Sequence, residues 1–175
     1  MSVYVLVYSI WWPFAWGIPG LVAFVLVVAF AVLFVTRGIR QMRHSVLFEA
    51  TESAEDRRLA RAMGILNSVT PPIWMVGTIV LLIAGQGRWV MPLMVLVIGA
   101  HFLPIAHILG RWVDYPAGLL MIVFAVIGGV MAANATIPWI TVFAVAGIGG
   151  TIATGFYAIY MARQYRQMTR AVGLH

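Results

Sequence analysis

Five separate apolar stretches, each long enough to cross a bilayer, constrain this chain more than any other feature. A membrane-spanning helix needs about 20 mostly apolar residues. Such stretches run over residues 17–36, 66–85, 89–109, 115–133 and 138–162. The composition agrees, with 63% of the 175 residues hydrophobic, 9% charged and a mean hydropathy of +0.99. A soluble domain carries about 25% charge. This chain has too few polar side chains to cover a globule and is too apolar for disorder. The expected fold is an all-α membrane protein: a bundle of five transmembrane helices with a short cytoplasmic helical linker between the first and second.

The stretch before the first span is apolar as well, but residues 1–36 are too many for one span and too few for two. Pro13, Pro19 and Gly20 punctuate it, and Trp11, Trp12 and Trp16 suit a membrane–water boundary. Residues 1–16 are therefore expected to form an interfacial segment. It lacks a basic leader and a small-residue cleavage site, so it is expected to be retained. Residues 37–65 form the only sizeable polar element. Within it, Ser53 followed three residues later by Asp56 resembles a capping box with Asp in place of Glu, and Glu55 and Asp56 suit the positive end of a helix. A helix is predicted to start near Ala54 and run into the second span. Residues 66–162 hold four spans joined by turns so short that neighbours must be antiparallel, and 163–175 form a basic tail.

Arginine sets the orientation. All 11 basic residues are Arg, against five acids, for a formal net charge of +6. With five spans, Arg37, Arg40, Arg43, Arg57, Arg58, Arg61, Arg111, Arg163, Arg166 and Arg170 share one side, and Arg88 stands alone on the other. Positive-inside bias predicts an outside N-terminus and a cytoplasmic C-terminus. The basic charge thus reads as topology, with no nucleic-acid partner expected. Arg163, Arg166 and Arg170 form a stripe suited to anionic lipid headgroups, at about 1 kcal/mol each near the surface.

The candidate site centres on His101, near the middle of the third span. Ionisable groups at that depth are rare and usually face the bundle interior. Pro104 lacks an N–H and deprives the Ala100 carbonyl of its helical donor. An imidazole and an unpaired carbonyl within one turn would make a small polar pocket, with Asn67, Ser68 and Thr151 as further ligand-binding residues. The competing structural reading is that His101 only hydrogen-bonds Asn67, Ser68, Thr141 or Thr151 on a neighbouring span. His107 lies about 120° away around the same helix, too far round for both rings to hold one metal ion. Asp114, three residues from Arg111, reads as half of a local ion pair. The spans bury no carboxylate of the kind ion-coupled carriers use, and the chain has no Cys. No nucleophile, metal-protease or nucleotide-loop pattern occurs. No cofactor, no metal and no catalytic residue is therefore expected. Pro71-Pro72 reads as a boundary or kink at the start of the second span.

Small residues recur at helical spacing in the last two spans: Ala125/Gly129 and Gly128/Ala132, then Ala146/Gly150, Gly149/Ala153 and Thr151/Gly155. Such faces let helices approach closely. They predict packing between the fourth and fifth spans, or docking of a second copy or a partner membrane protein.

The segment Gly99-Ala100-His101-Phe102-Leu103-Pro104-Ile105-Ala106, followed by a short basic turn, Tyr115 and Gly118, resembles a family of small uncharacterised bacterial multi-pass membrane proteins sharing a G-x-H-F-x-P-[LI]-A segment. The resemblance covers roughly residues 57–160. It departs where members often carry an acid in the preceding span and this chain has Asn67. It implies that His101 and Pro104 form a unit and that the chain resides in a bacterial cytoplasmic (inner) membrane; it implies no activity. The expected function is a non-enzymatic membrane protein that binds or passes a small or lipidic ligand at a polar pocket around His101 and Pro104. The alternative is an accessory or scaffold subunit of a membrane complex with no ligand site of its own.

Overall fold

A computed structural model describes residues 3–45 and 53–171. Its helices are α1 (Tyr4–Ser9), α2 (Trp12–Ser45), α3 (Ala54–Ile83), α4 (Val90–Leu109), α5 (Asp114–Ala133) and α6 (Trp139–Ala171), with a 3₁₀ turn at Gly87–Trp89 and no strand among the described residues. The five helices α2 to α6 are long and apolar enough to cross a membrane. The chain is an integral membrane protein of all-α architecture, as its apolar pattern predicts. Residues 46–52 of the expected linker and 172–175 of the basic tail lie outside the described residues.

Helix α3 begins where its cap predicts. The Asp56 amide donates to the Ser53 hydroxyl at 3.0 Å and the Ser53 amide to the Asp56 carboxylate at 2.9 Å, closing the box. The helix then continues through Pro71 and Pro72 to Ile83. The proline pair is therefore not a boundary. Each proline still withholds an N–H, from the carbonyls of Asn67 and Ser68 respectively.

The core is built by α4, α5 and α6. Small residues set the close approaches. A Cβ on Gly118 would stand 2.7 Å from the Gly99 carbonyl oxygen, one on Gly128 would stand 2.8 Å from the Ala146 methyl, and one on Gly149 would stand 2.6 Å from Phe124. The expected packing of the last two spans is thus present. The opposite side of α6, at Gly147 and Gly150, seats α1 instead. Tyr8 lies with its ring over Gly150 and its backbone against Gly147. Much of these small-residue faces is thus covered within the chain.

Helix α1, within the expected interfacial segment 1–16, packs on α6. Val5, Tyr8 and Ser9 form a helical stripe and are all buried, Tyr8 to 1% exposure. The Ser9 hydroxyl donates to the Val5 carbonyl at 2.7 Å, so burial leaves it satisfied. Helix α1 runs antiparallel to α6: Val5 faces Gly155, Tyr8 faces Gly147 and Gly150, and the Trp12 indole donates to the Ala144 carbonyl at 3.1 Å. The chain then turns back. Gly17 adopts φ 59°, ψ −132°, a conformation closed to side-chain-bearing residues, and Gly20 packs against the Trp12 carbonyl. Helix α2 descends parallel to α6, with Phe30 beside Gly155 and the Gln41 carbonyl accepting from the Tyr165 hydroxyl at 3.2 Å. Tyr4 accordingly lies one short helix away from the Trp11–Gly20 turn.

Among the described residues, the backbone of α3 comes close only to α4 and the 3₁₀ turn, and stands apart from α1 and α2. This leaves a gap in the side of the bundle between α1 and α3. At one end of the molecule, Arg88 donates to the Asn134 and Ile137 carbonyls at 2.9 and 2.7 Å, tying the two turns there together. At the other end, Arg111 pairs with Asp114 across one helical turn at 3.1 Å, as their spacing predicts.

Candidate functional site

His101 lies 11 residues into α4, about 16 Å from its start. Its ring is half-buried and turned toward α3. Nδ1 is 2.6 Å from the Thr70 hydroxyl oxygen, and that hydroxyl also donates to the Leu66 carbonyl at 3.0 Å. Thr70 is thus the partner of His101, in place of Asn67, Ser68, Thr141 or Thr151. The choice follows from helix geometry. Asn67 and Thr70 are three residues apart and share a face of α3, whereas Ser68 lies about 100° round from Asn67.

The pair sits on the wall of a cleft of about 470 Å³ that fills the gap between α1 and α3. Helix α1 supplies Tyr4, Val7 and Tyr8. Helix α3 supplies Asn67, Thr70, Pro71 and Trp74. The floor comes from Met94, Ile98, His101 and Phe102 of α4, with Thr154 of α6. Among the described residues, no charged side chain lines it. Asn67 and Pro71 both reach the cleft, so the carbonyl that Pro71 leaves without a donor belongs to a residue of its wall.

The structure therefore assembles an imidazole and a proline-orphaned carbonyl, but from a different proline. Pro104 is exposed and lies with Leu96, Ala100 and His107 along the exposed stripe of α4, outside the cleft. Of the other expected residues, Asn67 lines the cleft. Ser68 does not; it is exposed and its hydroxyl donates to the Ile65 carbonyl at 2.8 Å. Thr151 is buried in α6 with its hydroxyl unpartnered, and Thr154 takes the place at the cleft, its own hydroxyl donating to Gly150 at 2.6 Å. The sequence argument missed Tyr8 and Trp74, because it placed α1 at the membrane surface and considered only the polar residues of the second span.

No family model, no curated protein and no solved structure matches the chain.

The charged groups of the bundle cluster away from the cleft. Asp114 is fully buried, with one carboxylate oxygen held by Arg111 and the other unpartnered. The Arg111 guanidinium also donates to the Tyr157 hydroxyl and lies 5.4 Å from the centre of that ring. Tyr157 in turn meets Phe102 edge-on, with ring centres 5.7 Å apart. This cluster holds the turn between α4 and α5 against α6. Arg163, Arg166 and Arg170 are exposed on the last turns of α6. Among the described residues, no three His, Asp or Glu side chains converge as metal ligands would.

Proposed function

We propose that this integral membrane protein binds a lipidic ligand in the cleft between α1 and α3, with the His101–Thr70 pair as its polar anchor, and does not catalyse a reaction on it. The observation that carries this reading is His101, near the middle of α4, paired with Thr70 on the wall of an otherwise mostly apolar cleft. Ligand pockets combine such an apolar wall with a few placed polar groups, and about 300–1,000 Å³ is their usual size. Because the backbones of α1 and α3 stand apart, the reading has a molecule dissolved in the bilayer enter the cleft between them. Intramembrane ionisable residues mark ligand pathways by default.

The orientation proposed with it puts the basic end of α6 in the cytoplasm of a bacterial cell and the Trp11–Gly20 turn outside. Arg163, Arg166 and Arg170 then face anionic headgroups. The arginine distribution supports this placement, with ten arginines on the cytoplasmic side against Arg88 alone on the other.

The test is retention of an amphiphile through purification, read by mass spectrometry of the intact protein. The expected result is a bound amphiphile that His101→Ala loses while the thermal midpoint stays within a few degrees. Equal retention in the variant would retire the cleft as the site. The accessory-subunit reading would then stand, favoured by α3, whose most apolar stretch is entirely unburied within the chain.

A further inference from the structure

Resting on that reading of the cleft, we infer that its ligand is a neutral amphiphile bearing a hydroxyl group, and that Thr70 determines this choice by fixing the proton on His101 Nδ1. The Thr70 hydroxyl has one hydrogen and two neighbours, the Leu66 carbonyl at 3.0 Å and His101 Nδ1 at 2.6 Å. Both contacts are satisfied together only when the hydroxyl donates to the carbonyl and Nδ1–H donates to the hydroxyl oxygen. Threonine in a membrane helix makes this backward bond routinely. A neutral imidazole protonated at Nδ1 carries its lone pair on Nε2. That atom has no partner among the described residues, and His101 lines the cleft.

A second observation points the same way. Pro71 leaves the Asn67 carbonyl without its helical donor, on the same wall. Two acceptors therefore call for a donor on the ligand. Among the described residues no cation lines the cleft to hold a phosphate or carboxylate, and either would set its acceptors against Nε2 and the Asn67 carbonyl with only neutral donors, such as the Tyr8 hydroxyl, to meet it. Among the same residues no carboxylate lines it to hold an ammonium group, whose burial without a counter-charge is costly. A hydroxyl at the end of an apolar chain fits best: its single hydrogen donates to one of the two acceptors, Nε2, it brings no net charge, and it leaves its chain against Val7, Met94 and Ile98.

The experiment uses the full chain in detergent micelles and compares hexadecanol, hexadecyl methyl ether, palmitate and hexadecylamine. Each displaces a brominated hexadecanol, whose binding is read by quenching of Trp fluorescence, with Trp74→Phe assigning the signal to the cleft. Hexadecanol is expected to bind about tenfold more tightly than its methyl ether, the value of one hydrogen bond, and more tightly than the two charged analogues. Thr70→Val should erase the preference for the alcohol and Thr70→Ser should keep it. Nitrogen NMR of His101 should show Nδ1–H in the wild type without any ligand. Equal binding of the alcohol and ether, preference for a charged analogue, or an Nε2–H ring would overturn the inference while leaving a lipid-binding cleft. Failure of all four to bind would overturn that reading as well.

Discussion

At the scale of single residues, the balance between burial and pairing decides what each polar group does. Among the described residues Asp114 is the one fully buried carboxylate, and Arg111 is its only cation. Removing one partner of a buried pair costs about 3–5 kcal/mol, because the other charge stays buried without compensation. Arg111→Met should therefore destabilise the protein by about that amount, and Asp114→Leu combined with it should recover much of the loss. Unfolding followed by denaturant titration in mixed micelles measures both; a double variant no more stable than the single one would mean that Arg111 acts mainly through Tyr157. The contrast with His101 is instructive. Its hydrogen bond to Thr70 lies on a cleft wall and leaves one ring nitrogen uncommitted, whereas the Arg111 guanidinium is engaged by both Asp114 and Tyr157.

At the scale of elements, α1 is held by shape. Its six residues are too few to form a stable helix in isolation, so its position depends on the groove that Gly147 and Gly150 leave on α6. Gly150→Ala would place a methyl 2.5 Å from the Tyr8 ring. Overpacking of this kind costs about 1–3 kcal/mol, and the expected outcome is displacement of α1. Because the chain has no cysteine, Val5→Cys gives a clean probe: it should react slowly with a maleimide in the parent and quickly when Gly150→Ala is added. Helix α3 offers a second prediction at its exposed start, ahead of the apolar part of the helix. Hydrogen bonds from the Ser53 hydroxyl and then the Ser53 amide hold the Asp56 carboxyl below its usual range. A carboxylate with a depressed pKa stabilises the cap above its unfolded pKa, and that contribution is lost as pH falls through the folded value. Amide exchange over residues 54–58, corrected for its intrinsic pH dependence, should therefore speed up on acidification. Ser53→Ala should remove most of that dependence.

For the whole molecule, the arrangement of ends follows from where the arginines lie. Single-cysteine variants at Arg43 and Ala135 should label from opposite faces of sealed vesicles, with Arg43→Cys reached only from the cytoplasmic side. Labelling of both from one side would overturn the five-span topology. The side opening between α1 and α3 is likewise a property of the assembled bundle, since among the described residues α3 leans only on α4 and the 3₁₀ turn.

Much of the architecture was legible in one dimension. Span number, the start of α3 at its capping box and the Arg111–Asp114 pair depend on hydropathy and on contacts three or four residues apart, which sequence spacing encodes directly. The centre of the candidate site was legible too, in a histidine at mid-span, and Asn67 lines the same cleft. Its remaining walls were not. Whether Ser68 or Thr70 meets His101 depends on the rotation of α3 against α4, and hydropathy is nearly silent there because so much of α3 is apolar on all sides. The docking of α1 joins residues more than a hundred positions apart, Trp12 with Ala144 for example. A stripe of small residues on α6 announces that something will approach closely but does not say which segment. Sequence alone thus determined that this chain crosses a membrane and which residues lie deep within it. Only tertiary packing decided which of those residues meet, because helix rotation and partner choice are set by the volumes of side chains across the interface.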